Sequence, residues 1–185
     1  MENKQQIKIH TEGTPNPNAL KFVLDKTLLE RGTANFPNKE KAKDSSLAVK
    51  LFEVKSVSEV LIGKNFITVT KDPNTIWENI YEDILLAIDK FFLSGEPILL
   101  KIESQEGKGK SDVEQRILDI LNDQIRPAVA SDGGDIIFDS YKDGVLRLHL
   151  QGACSSCPSS IMTLKAGIET MLKREIPELK EVISV

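Results

Sequence analysis

A polar segment near the middle of the chain, residues 104–110, constrains the fold more than any other feature of the sequence. Its seven residues, Ser-Gln-Glu-Gly-Lys-Gly-Lys, include two glycines and no apolar side chain. Stretches of this kind behave as flexible linkers because they have nothing to bury in a core. Strong hydrophobic periodicity lies on both sides of the segment. The sequence therefore predicts two small domains, residues 1–103 and 111–185, joined by a linker at 104–110.

The region before the linker has the pattern of an α+β domain with an antiparallel sheet. Gly63-Lys64-Asn65 joins two β-branched runs as a hairpin, and Gly95 ends a long helical pattern in which Trp77, Phe91 and Phe92 are interpreted as core. Residues 25–45 are polar and are expected to be irregular. The predicted strands are 7–9, 20–24, 57–62 and 66–70, with a short helix at 47–52 and the long helix over 76–94.

The region after the linker predicts a smaller α+β domain with the element order α-β-β-α-β. Its first helix starts at Ser111 or Asp112 and runs somewhat beyond Pro127, and its second helix ends at Pro177. Lys142-Asp143-Gly144 predicts a tight reversal between two strands. The expected strands are 136–141, 145–150 and 182–183. This order indicates a three-stranded sheet with two helices on one face.

Composition and charge exclude several classes of function. The chain has 24 basic and 28 acidic residues and a net charge of −4, whereas nucleic acids and anionic membranes require a cationic face. No apolar run approaches the roughly 18 to 20 residues of a membrane span. Met1 to His10 lacks both a secretory signal core and the Arg-rich character of a transit peptide. We therefore expect a bacterial cytoplasmic protein, or a processed form in the mitochondrial matrix.

The reactive residues converge on two cysteines, Cys154 and Cys157, which precede a helix that begins near Pro158. Proline suits the first helical position, so both thiols face the positive end of the helix dipole. This placement lowers a thiol pKa and favours the thiolate, which is the form that binds metal or attacks a disulfide. One closely spaced pair cannot staple a chain of this length, which argues against a disulfide-dependent secreted scaffold.

From the residues alone, several interpretations of the pair stay open. Two small buried side chains are one, and a dithiol oxidoreductase with Cys154 as nucleophile and Cys157 as resolving thiol is another. Zinc and iron–sulfur sites want four ligands, so either would need two chains that contribute two thiolates each, in a symmetric dimer. His149 alternates within a strand and is interpreted as a surface residue. The Asp132-Gly133-Gly134-Asp135 motif is interpreted as a tight turn and not as a metal or phosphate loop.

Longer motifs resemble a known family. Asp132 to Asp135, the run Leu150 to Ser160 and Thr163-Leu164-Lys165 resemble the C-terminal domain of NifU-like iron–sulfur scaffold proteins. The run Thr14 to Phe22 resembles the N-terminal domain of the same Nfu proteins, as does the strand at Phe66 to Lys71 with the Trp77 helix. The resemblance covers nearly the whole chain in the expected domain order.

The resemblance implies a carrier that binds a [4Fe–4S] cluster between two subunits and is not a turnover enzyme. Cys154 and Cys157 would be the ligands, and the cluster-bound form would be a homodimer. Its partners would be an upstream cluster assembly system and apo iron–sulfur recipient proteins. Because the first domain has no evident ligand set, we expect it to dock the recipients.

Overall fold

The computed structural model describes residues 7–100, 111–156 and 158–185, with only the backbone at 158–160. The chain separates into two compact units, Met1–Glu103 and Ser104–Val185. The predicted linker at 104–110 lies outside the described residues.

The first unit is built on a five-stranded antiparallel sheet in the order β1-β2-β5-β4-β3. The predicted hairpin forms around Gly63-Lys64-Asn65, and the β-branched runs on either side of it become two central neighbours in the sheet. The strands are β1 (Ile9–Gly13), β2 (Ala19–Leu24), β3 (Ala34–Phe36), β4 (Val57–Ile62) and β5 (Phe66–Lys71).

Two helices, α1 (Ser46–Leu51) and α2 (Tyr81–Ser94), share one hydrophobic core with the sheet. The Ser45 hydroxyl caps α1 by accepting a hydrogen bond from the Ala48 N–H at 3.1 Å, and Gly95 ends α2 in the left-handed conformation. The core joins side chains from both helices and from three strands: Phe22, Leu47, Leu51, Val60, Ile67, Ile84, Ile88 and Phe91.

The first unit differs from the sequence prediction in three places. The first strand runs over Ile9–Gly13 and not over residues 7–9, because its pairing with β2 extends from Ile9 to Gly13. The stretch 25–45, which was expected to be irregular, contains the short strand β3 and a 3₁₀ turn. The sequence did not predict this strand because three residues are too few to show a period. The long helix begins at Tyr81, later than predicted, because residues Trp77–Asn79 form a separate 3₁₀ turn. Trp77 consequently lies half-buried at the edge of the core, whereas Phe91 is fully buried.

The second unit opens with a nearly continuous helix: α3 (Asp112–Ile120), a π turn (Leu121–Ile125) and α4 (Arg126–Ser131). Ser111 is the N-cap, and it forms a reciprocal capping box with Glu114. Pro127 cannot donate a hydrogen bond within a helix, and it is the second residue of α4, which begins where the wider π turn ends. The predicted helix is thus present, and the π turn is the feature that the sequence pattern did not indicate.

The remaining elements of the second unit are the strands β6 (Gly134–Lys142), β7 (Val145–Gly152) and β8 (Glu181–Ser184) and the helix α5 (Pro158–Glu175). The β6–β7 hairpin turns at Asp143 and Gly144, which both have positive φ, as a two-residue turn of this handedness requires. β8 pairs parallel to β7, so α5 is the connection that crosses between them.

The helices cover one face of this three-stranded sheet. Leu146 and Leu148 of β7 point into the core, where Ile117, Leu121 and Leu172 join them. The intervening Arg147 lies on the exposed face. The α+β fold class predicted for both units is confirmed. In the described ranges, no helix combines the length and the apolar character that crossing a bilayer requires.

Candidate functional site

The cysteine loop connects β7 to α5. Gly152 ends β7 with a φ of 63°, and its carbonyl accepts hydrogen bonds from the N–H (3.0 Å) and the hydroxyl (2.8 Å) of Ser155. This tight turn places Cys154 between the end of the sheet and the start of α5, which is an 18-residue helix. Cys157 lies outside the described residues, so its role as a second ligand stays a prediction from the sequence.

The side chain of Cys154 points inward. It is 7% exposed and belongs to the hydrophobic core of the second unit. Its Sγ atom lies against Gly134 at the start of β6: a Cβ at Gly134 would overlap Sγ and would lie 2.9 Å from the Gln151 carbonyl oxygen. Gly134 therefore lacks a side chain for a packing reason, because the thiol occupies that space.

The Asp132-Gly133-Gly134-Asp135 motif contacts the cysteine loop. Gly133 has a φ of 78°, and its carbonyl accepts a hydrogen bond from the N–H of Ala153 at 3.1 Å. Gly134 pairs directly with Gly152 across the β6–β7 ladder. The tight turn predicted here is present. Its contact with the loop that carries Cys154 is a tertiary feature that the sequence did not reveal.

A buried ion pair fixes the same corner of the fold. Arg126, at the start of α4, donates two hydrogen bonds to Asp135, from Nε to Oδ1 at 2.8 Å and from Nη2 to Oδ2 at 2.6 Å. Asp135 is 2% exposed, and its Oδ1 also accepts the N–H of Ile136. These hydrogen bonds raise the pKa of Arg126, while burial acts in the opposite direction. The pair joins the first helix to the strand residue next to Gly134.

The histidines occupy the surface. His149 contacts the Val185 carbonyl oxygen through Nδ1 at 2.9 Å and Asp139 through Nε2 at 3.3 Å, as expected of a surface strand residue. The pKa of Asp139 is lowered, first by the hydrogen bond from Ser140 and then by His149. His10 lies in the other unit beside Glu12. Within the described ranges, no three His, Cys, Asp or Glu side chains are grouped as a metal would need.

Apolar side chains are exposed along α5, the helix that follows the cysteine loop. Met162, in the first part of the helix, is 74% exposed, and Met171, further along it, is also exposed. An open groove of about 380 Å³ follows the same helix, lined by Ala166, Gly167, Thr170, Met171 and Arg174. The sequence pattern did not indicate that these residues are exposed. The available signal was that Met162 is apolar but lies outside the helical pattern of Leu164, Ile168 and Leu172.

Replacing Gly134 with alanine is expected to destabilise the second unit by about 2 kcal/mol, because the new methyl group overpacks against Cys154 and the backbone at Gln151. Gly167→Ala is the matched control. No atom lies within 4 Å of its added Cβ, and alanine favours a helix over glycine by roughly 1 kcal/mol. Urea unfolding should therefore move the two midpoints in opposite directions. Equal midpoints would contradict the close approach at Gly134.

Comparison with known proteins places both units in one family. A family described as "Scaffold protein Nfu/NifU N terminal" matches residues 9–95, and a "NifU-like domain" matches residues 117–183. The human protein named "NFU1 iron-sulfur cluster scaffold homolog, mitochondrial" is 43% identical over 96% of this chain and 71% of its own length. "NifU-like protein 5, mitochondrial" of Arabidopsis thaliana is 38% identical over 98% of this chain and 69% of its own length.

Among solved structures, the solution NMR structure of a NifU-like protein from Saccharomyces cerevisiae is 29% identical and has a TM-score of 0.49. The match covers 55% of this chain and 92% of that one. Both domain matches occur in this chain in the order N-terminal then NifU-like, and the two named relatives align along nearly all of it. The chain therefore belongs to the Nfu family of NifU-like scaffold proteins.

Proposed function

We propose that this protein is an iron–sulfur cluster scaffold and carrier, which holds a [4Fe–4S] cluster as cargo between two identical subunits. The observation that carries the proposal is the loop before α5, where Cys154 follows the β6–β7 hairpin and Cys157 comes three positions later in the sequence. A cluster of this type takes four cysteine ligands, and the sequence contains two. The names of the human and Arabidopsis relatives support the cargo, since the first contains the words "iron-sulfur cluster scaffold".

The fit of this corner to a cluster rests on thiol chemistry. Iron in clusters prefers thiolate ligands, and the start of a long helix stabilises thiolate. The inward position of Cys154 means that the loop must turn its thiol outward when the cluster binds. The Ala153 N–H donates to the Gly133 carbonyl, and the Ser155 N–H and hydroxyl donate to the Gly152 carbonyl, so these hydrogen bonds would shift in the rearrangement.

The second candidate function, a dithiol oxidoreductase, requires Cys154 to attack a disulfide. A reactive thiol of this kind is partly exposed to its substrate. Cys154 is instead packed in the core, which favours a ligand that moves on metal loading over a nucleophile poised for attack. We therefore propose a carrier that performs no catalytic turnover.

The exposed side of α5 supports the proposal of a homodimer. Met162 and Met171 are apolar and face solvent, and Ala166 and Gly167 between them allow close approach of a second helix. Because the helix begins at the cysteines, contacts along it would bring two cysteine loops together. Sharing ligands across subunits then couples cluster release to subunit separation by mass action.

The partners follow from the same proposal. An upstream assembly system would supply the cluster, and apo iron–sulfur proteins would receive it, with the first domain, residues 1–103, as their docking unit. The linker at 104–110 would let the cluster domain reach the docked recipient. The names of both relatives include the word mitochondrial. The mitochondrial matrix and the bacterial cytoplasm both remain proposed locations for this chain.

Anaerobic reconstitution with iron and sulfide, followed by native mass spectrometry and Mössbauer spectroscopy, tests the proposal. We expect a brown species with the mass of two chains plus one [4Fe–4S] cluster, and a Mössbauer spectrum typical of that cluster. Iron bound to a species with the mass of one chain would contradict the shared site. A colourless protein that reduces disulfides would favour the oxidoreductase.

A further inference from the structure

Lys71, at the end of β5, is a buried cation that the proposed cluster site does not use. The residue is 6% exposed, far less than is usual for lysine. Its Nζ atom donates to the side-chain oxygen of Asn18 at 2.9 Å and lies 3.5 Å from the Asp72 carbonyl oxygen. The ring of Trp77 lies beneath it, with the centroid 5.6 Å away. In the described part of the chain, no carboxylate lies within ion-pair distance of this ammonium group.

Hydrogen bonds fix the groups that surround Lys71. The loop before β2 is locked by Thr14, whose hydroxyl donates to the carbonyl of Ala19 and accepts the N–H of Asn16. The side chain of Asn16 accepts the N–H of Asn18 and so orients that residue toward Lys71. On the other side, the indole N–H of Trp77 donates to the Pro17 carbonyl at 3.1 Å. Hydrogen bonds within this loop, and from Trp77 to it, therefore fix the groups on either side of the ammonium.

The rim of this site is apolar and exposed. Ile76 is 58% exposed, and Pro15 and Pro17 are exposed on the opposite loop. A buried ammonium costs free energy unless it is paired with a negative charge, and the flexible four-carbon stem of lysine lets the group move toward the surface. An anionic group flanked by apolar atoms would complement both the charge and the rim.

We propose that Lys71 receives an acidic side chain of a recipient protein, with flanking apolar residues that pack on Pro17, Ile76 and Trp77. This inference rests on the proposed carrier function, because it names the chemistry by which the first domain would recognise a recipient. Asp72 and Glu78 are exposed acidic residues in the same turn region. Their negative charges would repel a highly acidic partner, so the partner segment that fits this site has one carboxylate between apolar residues.

Trp77 is the only tryptophan in the sequence, so its fluorescence reports on this site directly. The probe is the capped peptide acetyl-Ala-Leu-Asp-Leu-Ala-amide, titrated to 10 mM at constant ionic strength into the full-length protein. We expect a saturable change in fluorescence, and binding at least tenfold weaker for the peptide with Asn in place of Asp, which corresponds to about 1.4 kcal/mol. The absence of a saturable change, or equal binding of the two peptides, would overturn the proposal.

Protein variants assign the effect to Lys71. Lys71→Met keeps the length of the stem and removes the charge, and we expect it to abolish the preference for Asp, whereas Lys71→Arg should retain it. Lys64→Met is the matched control, since Lys64 is an exposed lysine in the turn at the other end of β5. The Asn peptide with a free C-terminal carboxylate is a further arm. If it binds as tightly as the Asp peptide, the site recognises chain ends and the assignment to a side chain is wrong.

Transfer kinetics separate this inference from the proposed function. Cluster-loaded Lys71→Met should contain as much iron as the unsubstituted protein and release it to a small chelator at the same rate. We expect it to deliver the cluster to an apo [4Fe–4S] protein at least fivefold more slowly, while Lys64→Met does not. Equal delivery by Lys71→Met would overturn the docking role. A failure of every variant to hold iron would refute the carrier function, and the peptide titrations would still test the Lys71 site.

Discussion

Cys154→Ala and Cys157→Ala are each expected to lower the iron and sulfide bound after anaerobic reconstitution by far more than tenfold. Each substitution halves the thiolates that a chain contributes, so the proposed dimer would keep two of the four that a cluster needs. Loss of a residue that only supports a metal ligand already costs 10 to 100-fold in metal affinity, so loss of a ligand costs at least as much. Iron and sulfide analysis, the visible absorption spectrum and native mass measure the effect.

Ser155→Ala is the control for the cysteine variants. It lies in the same loop and removes the 2.8 Å hydrogen bond to the Gly152 carbonyl, but it keeps both thiols. We expect this variant to retain the cluster. Circular dichroism should show folded protein for all three variants, because alanine fits within the space of either residue. A full complement of iron in Cys154→Ala would remove that residue from the ligand set.

Arg126→Met is expected to destabilise the second unit by about 3 kcal/mol, the largest effect on stability that we predict for a single side chain. The substitution leaves the carboxylate of Asp135 buried without its bidentate partner, and breaking a buried ion pair from one side typically costs 3 to 5 kcal/mol. The lower end of that range applies because Arg126 is partly exposed. For a domain of this size, the midpoint of thermal unfolding should fall by roughly 15 °C. Calorimetry measures it.

Arg116→Met provides a matched change in charge within the same helix region. Arg116 lies 3.9 Å from Glu175, and both side chains are more than half exposed, so its loss should change stability by less than about 0.5 kcal/mol. Arg126→Met combined with Asp135→Leu should recover part of the loss, because the buried charge is then absent. Equal effects of Arg116→Met and Arg126→Met would show that burial of the pair contributes nothing.

Loss of the Arg126–Asp135 pair is also expected to affect the cysteine loop. Asp135 follows Gly134, whose backbone contacts the thiol of Cys154, so a shift of β6 also moves the floor of the cysteine loop. We expect Arg126→Met to shorten the lifetime of a bound cluster at temperatures where the protein is still folded. Arg116→Met should leave that lifetime unchanged.

Local chemistry explains which elements the sequence predicted well. The Asp143-Gly144 turn needs residues that tolerate positive φ, and Asp and Gly are residue types that predict such a turn. Ser111, one of the two residues predicted to start α3, is its N-cap, because capping depends on residues within one turn; the reciprocal hydrogen bond from Glu114 is a feature that only the structure showed. The short strand β3 and the π turn before Arg126 carry no such local mark, and the sequence did not indicate them.

In the candidate site too, features that depend on neighbouring residues were predicted, and contacts between distant elements were not. The sequence by itself determined the two cysteines, their place before a helix, the turn at Gly133 and the division into two α+β regions, because each depends on residues that are neighbours in the chain. Only the tertiary structure brought Gly134 against Cys154, paired Arg126 with Asp135 and placed Lys71 between Asn18 and Trp77. Those contacts depend on strand pairing and helix packing between residues that are not neighbours in the chain, with separations such as 9 positions for Arg126 and Asp135 and 53 for Lys71 and Asn18, and no short pattern of residue types encodes them.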